Sequence, residues 1–439
     1  MPISLFTSLF AVVGLGGILL ALFYLALRRP VILVVLFLAL WIVTVALTRS
    51  VTLSVTVSSV QVYPMDVLAL VMAASGAARV LSRGVASAAR GLVLVLLTLL
   101  VLHISRGIAE FGLQTAVNST RGWLYFVAAL AYAATVPGGW DRRVWKTLTS
   151  AGVLLALTAV PFWLTGGLGS AGEMVVHNGE LVTSRPIVAA GALLILQAAV
   201  LALALHWPSR RSAPYAALGC AVVLVLLQHR TLWVAGAVVA AVGFVWWLAG
   251  IGRAQEKAAF AAIGTILLLL PLTVAGFLST GPLVRSAGSA TSGNSTFTWR
   301  TTGWEELIAS HHSVSQLVVG EGSGASMDRV LNGHTVAVSA HNGFVEAYLG
   351  FGIPGVLAVV WLGLMLWFRR RGVAVGIGLT AHAVGLLLLT QLAFSITYQL
   401  DAVQGIITGV LVSGLTVSNP ARRSVALWPA SSTLGRAVT

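Results

Sequence analysis

A histidine beside an asparagine stands where a long polar segment of the chain meets an apolar run. His341 and Asn342 close the polar segment, and the apolar run begins within a few residues. The imidazole of an unperturbed histidine has a pKa of about 6.5, so it can accept a proton from a hydroxyl group at neutral pH. His341 is therefore the candidate catalytic residue, and Asn342 is a candidate contact for a sugar or an acceptor.

Arginines form the second set of candidates, because a guanidinium group presents a planar fork that pairs with two phosphate oxygens. Arg230 interrupts an apolar run, where a charge is costly unless it has a partner or lines a cavity. Arg185 directly precedes the proline that opens another apolar run, and Arg300 lies in the polar segment. We expect Arg185, Arg230 and Arg300 to bind substrate phosphates, with Arg121 as a reserve candidate for a sugar or acceptor contact.

The polar segment contains the pattern of a short amphipathic helix near residues 298–308. Arg300 and Trp304 are four residues apart, so a helix would present both on one face. Trp304 is therefore a candidate for stacking on a sugar ring. Thr302 and Glu305 have the spacing of a capping box, which is typical of the start of a helix.

The composition of the chain requires a membrane environment. Of its 439 residues, 58% are hydrophobic and only 9% are charged, whereas soluble domains carry about a quarter charged residues. Apolar runs of about 20 residues recur along the chain, and this is the length that a helix needs to cross a bilayer. The only cysteine, Cys220, excludes a disulfide framework and a cysteine-rich metal site. We predict an all-α integral membrane protein.

The apolar runs predict about 12 or 13 transmembrane helices. We divide the longest run, 213–249, at Gln228-His229-Arg230, because this is its only strongly polar triplet. The first run has no basic start and no cleavage site, so we expect a retained helix and not a signal peptide. The candidate spans lie near residues 5–27, 31–48, 64–82, 91–105, 121–136, 147–165, 186–206, 213–228, 231–249, 257–278, 347–368, 373–393 and 402–418.

The distribution of charge indicates how these helices are oriented. With the N-terminus outside and the C-terminus in the cytoplasm, most of the 26 Lys and Arg residues face the cytoplasm and most of the 12 acidic residues face outside. This matches the positive-inside rule. The net charge of +14 therefore has a topological explanation, and we expect the lipid bilayer as a partner and no nucleic acid.

One long polar segment is expected outside the membrane, where it would form a large extracytoplasmic loop carrying short helices. The cytoplasmic connections are too short to hold a nucleotide-binding domain, and no glycine-rich phosphate-binding motif follows a strand. The expected divisions are an N-terminal bundle of about ten spans (1–278), the extracytoplasmic catalytic loop (279–346), the C-terminal transmembrane helices (347–418) and a cytoplasmic tail (419–439).

The order of motifs over residues 297–357 resembles the O-antigen ligase and polymerase superfamily, and the multi-span layout agrees with it over the rest of the chain. These bacterial membrane glycosyltransferases act on polyprenyl-diphosphate-linked glycans. The motifs are the Arg-x3-Trp pair of Arg300 and Trp304, the turn Gly320–Gly324, His341-Asn342, and Gly352-Ile353-Pro354-Gly355 at the start of the eleventh span.

This resemblance implies an inverting glycosyltransferase of the cytoplasmic (inner) membrane with an extracytoplasmic active site. The donor would be a polyprenyl-diphosphate-linked glycan, and the acceptor would be a glycan or a lipid. His341 would act as the general base or would orient the acceptor hydroxyl, and Arg300 matches the loop arginine of the family. Polymerase and ligase activities differ only in the acceptor, and the sequence leaves both open.

Metal-independent transfer without a cofactor is expected, because hard cations require several converging carboxylates. Asp66 stands alone near the first outer loop, and Glu305-Glu306 is the only adjacent acidic pair expected outside. Both the family resemblance and this scarcity of acidic pairs favour a reaction without a metal ion.

Two other classes of protein compete with this interpretation. A transporter or flippase of lipid-linked sugars would explain the many spans, but it predicts charged residues deep in several helices and internal repeats, which the sequence lacks. A membrane acyltransferase that uses one histidine would need a second polar residue within a span. His103, His206 and His382 stand singly in or beside apolar runs, without partners at metal-binding spacing.

Overall fold

The computed structural model describes most of the chain as helices joined by short connections. The described residues are 16–48, 53–57, 60–83, 88–136, 141–169, 174–177, 180–248, 296–310, 313–325, 327–331, 334–337 and 340–417. The predicted span near 257–278, the predicted tail and the first part of the predicted catalytic loop lie outside the described residues.

Apart from α10 and α11, which lie in the predicted polar loop, the described helices fall where apolar runs predict spans. They are α1 (Gly16–Arg28), α2 (Pro30–Trp41), α3 (Pro64–Arg83), α4 (Ala88–Phe111), α5 (Leu113–Thr135), α6 (Asp141–Gly166), α7 (Ala189–Leu205), α8 (Ala213–Leu226), α9 (Arg230–Leu248), α10 (Thr296–Ala309), α11 (Val314–Val319), α12 (Gly343–Phe368), α13 (Arg370–Ile377), α14 (Ala381–Ser395) and α15 (Ala402–Val417). A π-helical turn, Ile42–Ala46, extends α2.

Within the described residues, three two-stranded antiparallel hairpins, which were not predicted, lie between helices. Their strands are β1 (Val55–Val57) with β2 (Val60–Val62), β3 (Met174–His177) with β4 (Glu180–Thr183), and β5 (Asp328–Leu331) with β6 (His334–Ala337). Each strand has only three or four residues, which is too short for a clear alternation of polar and apolar residues to be recognised.

Helix length and composition support the predicted class of all-α membrane protein. Among the described residues, α3, α4, α6 and α12 are long and apolar enough to cross a membrane. The pair α13 and α14 also qualifies as one broken span, with a bend of 109° between the two helices. The number of crossings and the orientation of the chain stay predictions.

Small residues allow the central helices to pack closely. A Cβ atom added to Gly405 of α15 would lie 2.2 Å from the Phe126 carbonyl oxygen of α5. One added to Gly409 would lie 2.6 Å from the Leu130 carbonyl oxygen. Glycine at both positions therefore lets two backbones touch, as is common between membrane helices.

A buried amide network joins α7, α14 and α15. The side chains of Gln197 and Gln404 exchange two hydrogen bonds of 2.8 and 2.9 Å. Nε2 of Gln391 donates to the same Gln404 side-chain oxygen at 3.0 Å. Since hydrogen bonds between side chains hold helices together inside a membrane, this network fixes α14 and α15, whose connection carries part of the candidate site.

The helix predicted near residues 298–308 is present as α10, but the capping box expected at Thr302 and Glu305 is absent. Because α10 begins at Thr296, Thr302 and Glu305 lie inside the helix and form no capping box. The capping box of this region belongs to α11, where the Ser313 side chain and the Gln316 side chain each bond the other residue's backbone nitrogen. The two sites share the same spacing, so the sequence pattern did not discriminate between them.

Candidate functional site

Residues that are far apart in the sequence meet around Tyr398, in the connection between α14 and α15. The guanidinium carbon of Arg300 lies 4.9 Å from the Tyr398 ring centroid, and its Nη2 donates to the Tyr398 hydroxyl at 3.4 Å. The His341 and Tyr398 rings are T-shaped, with centroids 6.1 Å apart. Arg185 interacts electrostatically with Tyr398, Arg230 and Arg300. We call Arg185, Arg230 and Arg300 around Tyr398 the arginine cluster.

The break between α8 and α9 holds two of these arginines together. The break falls at the predicted polar triplet, and α9 begins at Arg230. Nη2 of Arg185 donates to the Gln228 carbonyl oxygen at 3.1 Å. Nε2 of His229 lies 2.8 Å from the Ile187 carbonyl oxygen. These two contacts tie the segment before α7 to the start of α9, so Arg185 and Arg230 stay close.

The arginine cluster concentrates positive charge in a partly buried place. Burial lowers the pKa of Arg185; Tyr398 opposes this shift, while the charges of Arg230 and Arg300 add to it. The Nε atoms of Arg185 and Arg300 are buried and have no hydrogen-bond partner among the described residues. Neither of these two guanidinium groups forms an ion pair with a described residue. Buried cations without a carboxylate are costly, so an anion bound here would be stabilised.

His341 lies in the connection that leads into α12, and its backbone is unusual. Its φ is +51°, a conformation that few residues other than glycine adopt. The next residue, Asn342, caps α12, because its Oδ1 accepts hydrogen bonds from the backbone nitrogens of Phe344 at 2.9 Å and Val345 at 3.1 Å. The Asn342 side chain therefore fixes the start of α12, directly after His341. Its predicted contact with a sugar stays a prediction.

Trp304 supports the same segment from the opposite side. Its Nε1 donates to the Ala340 carbonyl oxygen at 2.6 Å. Its ring packs with Leu307, Val345 and Leu349 in a small apolar cluster. The indole N–H is therefore used within the protein and holds the residue before His341, while stacking of Trp304 on a sugar ring stays a prediction.

Arg121 has its own set of contacts, which does not include Tyr398. Its Nε donates to Asp66 Oδ1 at 3.2 Å, and its guanidinium carbon lies 4.5 Å from the Tyr63 ring centroid. The Tyr125 hydroxyl donates to the same Asp66 oxygen at 2.6 Å. The geometry therefore gives Arg121 a role in holding α3, α5 and the β1–β2 hairpin together, and offers no support for its predicted contact with a sugar or acceptor.

The glycine-rich turn is docked on α4 and α12. Nη1 of Arg106 donates to the Gly320 carbonyl oxygen at 2.7 Å, and Nδ1 of His103 lies 2.7 Å from the Glu321 carbonyl oxygen. A Cβ added to Gly320, whose φ is +70°, would lie 2.4 Å from the Gly350 carbonyl carbon. Close backbone contact thus explains the glycines of this turn. The sequence analysis did not foresee that His103 and Arg106 hold it.

Next to Tyr398, Gln399 connects α5 to α12. With its amide oriented to satisfy both neighbours, Gln399 donates to Glu346 Oε2 at 2.9 Å and accepts from Trp123 Nε1 at 2.9 Å. The carboxylate of Glu346 is buried in the first turn of α12. These bonds fix the connection between α14 and α15 that carries Tyr398.

A cavity of about 390 Å³ lies between α12 and α14. Its lining includes Phe344, three residues after His341, and Ser395, three residues before Tyr398. Its other end is lined by Trp367, near the far end of α12. The cavity therefore runs along the bundle from the neighbourhood of His341 towards the opposite end of the helices. Its volume lies in the range of ligand pockets, about 300–1,000 Å³.

The walls of this cavity suit a hydrocarbon chain. Most of the lining side chains are apolar, and two of them, Leu364 and Leu392, are 43% and 52% exposed. The cavity therefore opens sideways between the helices. The polar groups of Gln391 and Thr408 in its wall are bonded to each other, at 3.2 Å from Nε2 to Oγ1, so they demand no partner from a ligand.

Within the described residues, no three His, Cys, Asp or Glu side chains are grouped so that they could hold a metal ion. No protein-family model matches this chain, and no curated protein matches it. The likeness to O-antigen ligases and polymerases therefore depends on the motifs and their order. What the structure adds is that Arg300 and His341 contact the same Tyr398 ring, while Arg230 and Arg300 lie near enough for their charges to act on Arg185.

Proposed function

We propose that this chain is an extracytoplasmic glycosyltransferase of the O-antigen ligase and polymerase type, which uses a polyprenyl-diphosphate-linked glycan as donor. One observation carries the proposal: Arg300 and His341 contact the same Tyr398 ring, and the charges of Arg230 and Arg300 act on Arg185. A diphosphate is the anion that several forked guanidinium groups bind best, and an imidazole is the group that activates a hydroxyl at neutral pH.

The proposed reaction is a single displacement at the anomeric carbon of the donor sugar. His341 accepts the proton of the acceptor hydroxyl, the acceptor oxygen bonds to the anomeric carbon, and the bond from that carbon to the diphosphate oxygen breaks. Polyprenyl diphosphate leaves with the bonding electrons. The arginine cluster stabilises the negative charge that develops on it. One displacement inverts the configuration at the anomeric carbon.

The apolar cavity between α12 and α14 supports a substrate with a long hydrocarbon chain. It opens sideways, as a site that is filled from a bilayer must, and one end lies near His341 and Tyr398 along the chain. The proposal includes the orientation expected from charge, with the site at the outer face of the cytoplasmic membrane. It also includes transfer without a metal ion and either a second glycan or a lipid as acceptor.

A transfer assay with purified protein and a lipid-linked donor tests the proposal. We expect His341→Ala to lower the release of polyprenyl diphosphate by at least about 100-fold, the usual contribution of a general base. His382→Ala is the matched control, because His382 lies at the start of α14, away from Tyr398 at its end. Release at the wild-type rate by His341→Ala protein would remove His341 from the mechanism.

The same assay separates the proposal from the rival activity. A flippase would move the lipid-linked donor across the bilayer without cleaving it. Wild-type protein that translocates the donor but releases no polyprenyl diphosphate, with every acceptor offered, would replace the transferase by the flippase.

A further inference from the structure

Tyr398 contacts both functional groups of the candidate site, and the proposed reaction gives it no role. Its hydroxyl and its ring contact Arg300, and the same ring contacts His341. Tyr398 therefore links one of the predicted arginines directly to the predicted histidine.

The Tyr398 ring is itself held in place. It stacks on Phe394 of α14, with centroids 5.0 Å apart and an angle of 25° between the rings. The backbone nitrogen of Tyr398 donates to the Phe394 carbonyl oxygen at 2.9 Å. A Cβ added to Gly343 would lie 3.2 Å from the Tyr398 carbonyl oxygen. The connection that carries Tyr398 therefore packs directly against the start of α12, next to His341.

We propose that Tyr398 is a positioning residue that sets Arg300 and His341 relative to each other through its aromatic ring. This inference rests on the proposed function. A guanidinium group over an aromatic ring is attracted by the negative face of the ring, which orients the Arg300 fork without using the donors that a diphosphate needs. The T-shaped contact holds the imidazole at the same time. The diphosphate and the acceptor hydroxyl are thereby brought to one place.

The aromatic ring of Tyr398, more than its hydroxyl, is expected to position Arg300 and His341. The hydrogen bond from Arg300 to the hydroxyl is long, at 3.4 Å, whereas both ring contacts have distances typical of favourable pairs. Tyr398→Phe should therefore retain the positioning, and Tyr398→Leu should lose it. Pentafluorophenylalanine at position 398 keeps the shape of phenylalanine but reverses the charge distribution of the ring, so it tests the attraction to Arg300 without emptying the site.

The experiment measures binding of inorganic pyrophosphate by calorimetry, and donor KM, kcat and pH profile in the transfer assay, with the full chain in detergent. We expect Tyr398→Phe to stay within about threefold of wild type, since it loses one weak neutral hydrogen bond. Tyr398→Leu and the pentafluoro variant should bind pyrophosphate about tenfold more weakly, with a raised donor KM. Tyr398→Leu should also lower kcat and displace the limb of the pH profile that reports His341.

The results distinguish this inference from the proposed function. Equal pyrophosphate binding and equal pH profiles in the phenylalanine, leucine and pentafluoro variants would overturn the positioning role of Tyr398, while wild-type binding and transfer would leave the proposed function intact. Wild-type protein that neither binds pyrophosphate nor transfers a glycan would overturn both. If Tyr398→Leu does not fold, the comparison of phenylalanine with pentafluorophenylalanine decides, because these side chains have nearly the same shape.

Discussion

Arginine has opposite surroundings in two neighbouring regions of this molecule. Around Asp66, Arg121 forms an ion pair with the carboxylate at 3.2 Å and lies over the Tyr63 ring. Around Tyr398, Arg185 and Arg300 have an aromatic ring and a backbone carbonyl oxygen near them but no carboxylate among the described residues. The two regions are close, since Gly122 packs against Gln399.

This contrast separates a structural arginine from a candidate binding arginine. A guanidinium group that is paired with a carboxylate inside the protein stabilises the fold. Because its charge is already balanced, it attracts an anionic ligand only weakly. A buried guanidinium group without an opposite charge costs folding free energy, and a ligand that supplies the missing charge recovers it. Arg300 was a predicted phosphate ligand and Arg121 a reserve candidate for a sugar or acceptor contact, and their surroundings in the fold differ far more than their sequence contexts do.

The largest expected effect comes from replacing two of the candidate binding arginines. Arg185→Gln combined with Arg300→Gln should weaken the binding of inorganic pyrophosphate roughly 1,000-fold, because each charged hydrogen bond contributes about 1.5–3 kcal/mol. Calorimetry or competition binding on purified protein measures this. Arg121→Gln is the matched control and should change the dissociation constant less than about twofold, because its charge is used by Asp66. An equal loss of pyrophosphate affinity in the double variant and in Arg121→Gln would mean that the difference in surroundings does not decide which arginines bind an anion.

The next largest effect comes from replacing the carboxylate that pairs with Arg121. Asp66 is 7% exposed and binds Arg121 and the Tyr125 hydroxyl. Asp66→Asn leaves the Arg121 charge without its partner, so we expect the free energy of unfolding to fall by about 3 kcal/mol, the lower end for buried pairs. Denaturant unfolding in detergent measures this change. Pyrophosphate binding by the folded variant should match the wild type, and a large loss of binding would show that the two regions are coupled.

The third prediction uses pH to report the charge of the arginine cluster. Burial, and then the charge of Arg185, lower the pKa of His229 from 6.5 to about 4. Between these values the unfolded chain binds a proton that the folded chain does not, so stability falls as pH decreases from 6.5 to 4. The full effect is about 3 kcal/mol, at 1.36 kcal/mol per pKa unit.

Thermal unfolding across this pH range checks the effect. His229→Gln keeps a donor for the Ile187 carbonyl oxygen but does not titrate, so its stability should depend less on pH than that of the wild type. Arg185→Gln should give an intermediate dependence, because it removes one of the two causes. An unchanged slope in His229→Gln would exclude His229 as the titrating group.

The smallest expected effect concerns the support of His341. Trp304→Phe removes the donor to the buried Ala340 carbonyl oxygen, which should cost about 1 kcal/mol of stability, the low end for a buried acceptor left without a partner. The transfer rate should fall about fivefold through misplacement of His341, with pyrophosphate binding unchanged. A rate equal to that of the wild type would show that Trp304 does not position His341.

Much of the helical layout could be predicted from the sequence, because apolar runs of this length have few structural solutions. The division of the run 213–249 at Gln228-His229-Arg230 is an example, since α9 begins at Arg230. His341, Arg185 and Arg230 could be named as candidates from residue type and position beside apolar runs, and Arg300 from its place in the polar segment. The proximity of these residues in the fold could not be predicted, because they lie on four separate elements of the chain.

Other features depended on packing that no local pattern reveals. Tyr398 lies in a short connection, and nothing in its sequence neighbourhood distinguishes it from an interfacial tyrosine. The pairing of Arg121 with Asp66 required the approach of α3 and α5. The capping box was placed at Thr302 instead of Ser313 because the spacing alone fits both. Long-range contacts thus bring some candidates together and pair others elsewhere in the fold.

A structure of the protein with polyprenyl diphosphate bound tests the central claim most directly. The account predicts diphosphate oxygens within hydrogen-bond distance of Arg185, Arg230 and Arg300, the His341 ring beside them, and the hydrocarbon chain along the bundle. A diphosphate bound elsewhere, with the arginine cluster empty and no path from it to His341, would contradict the account.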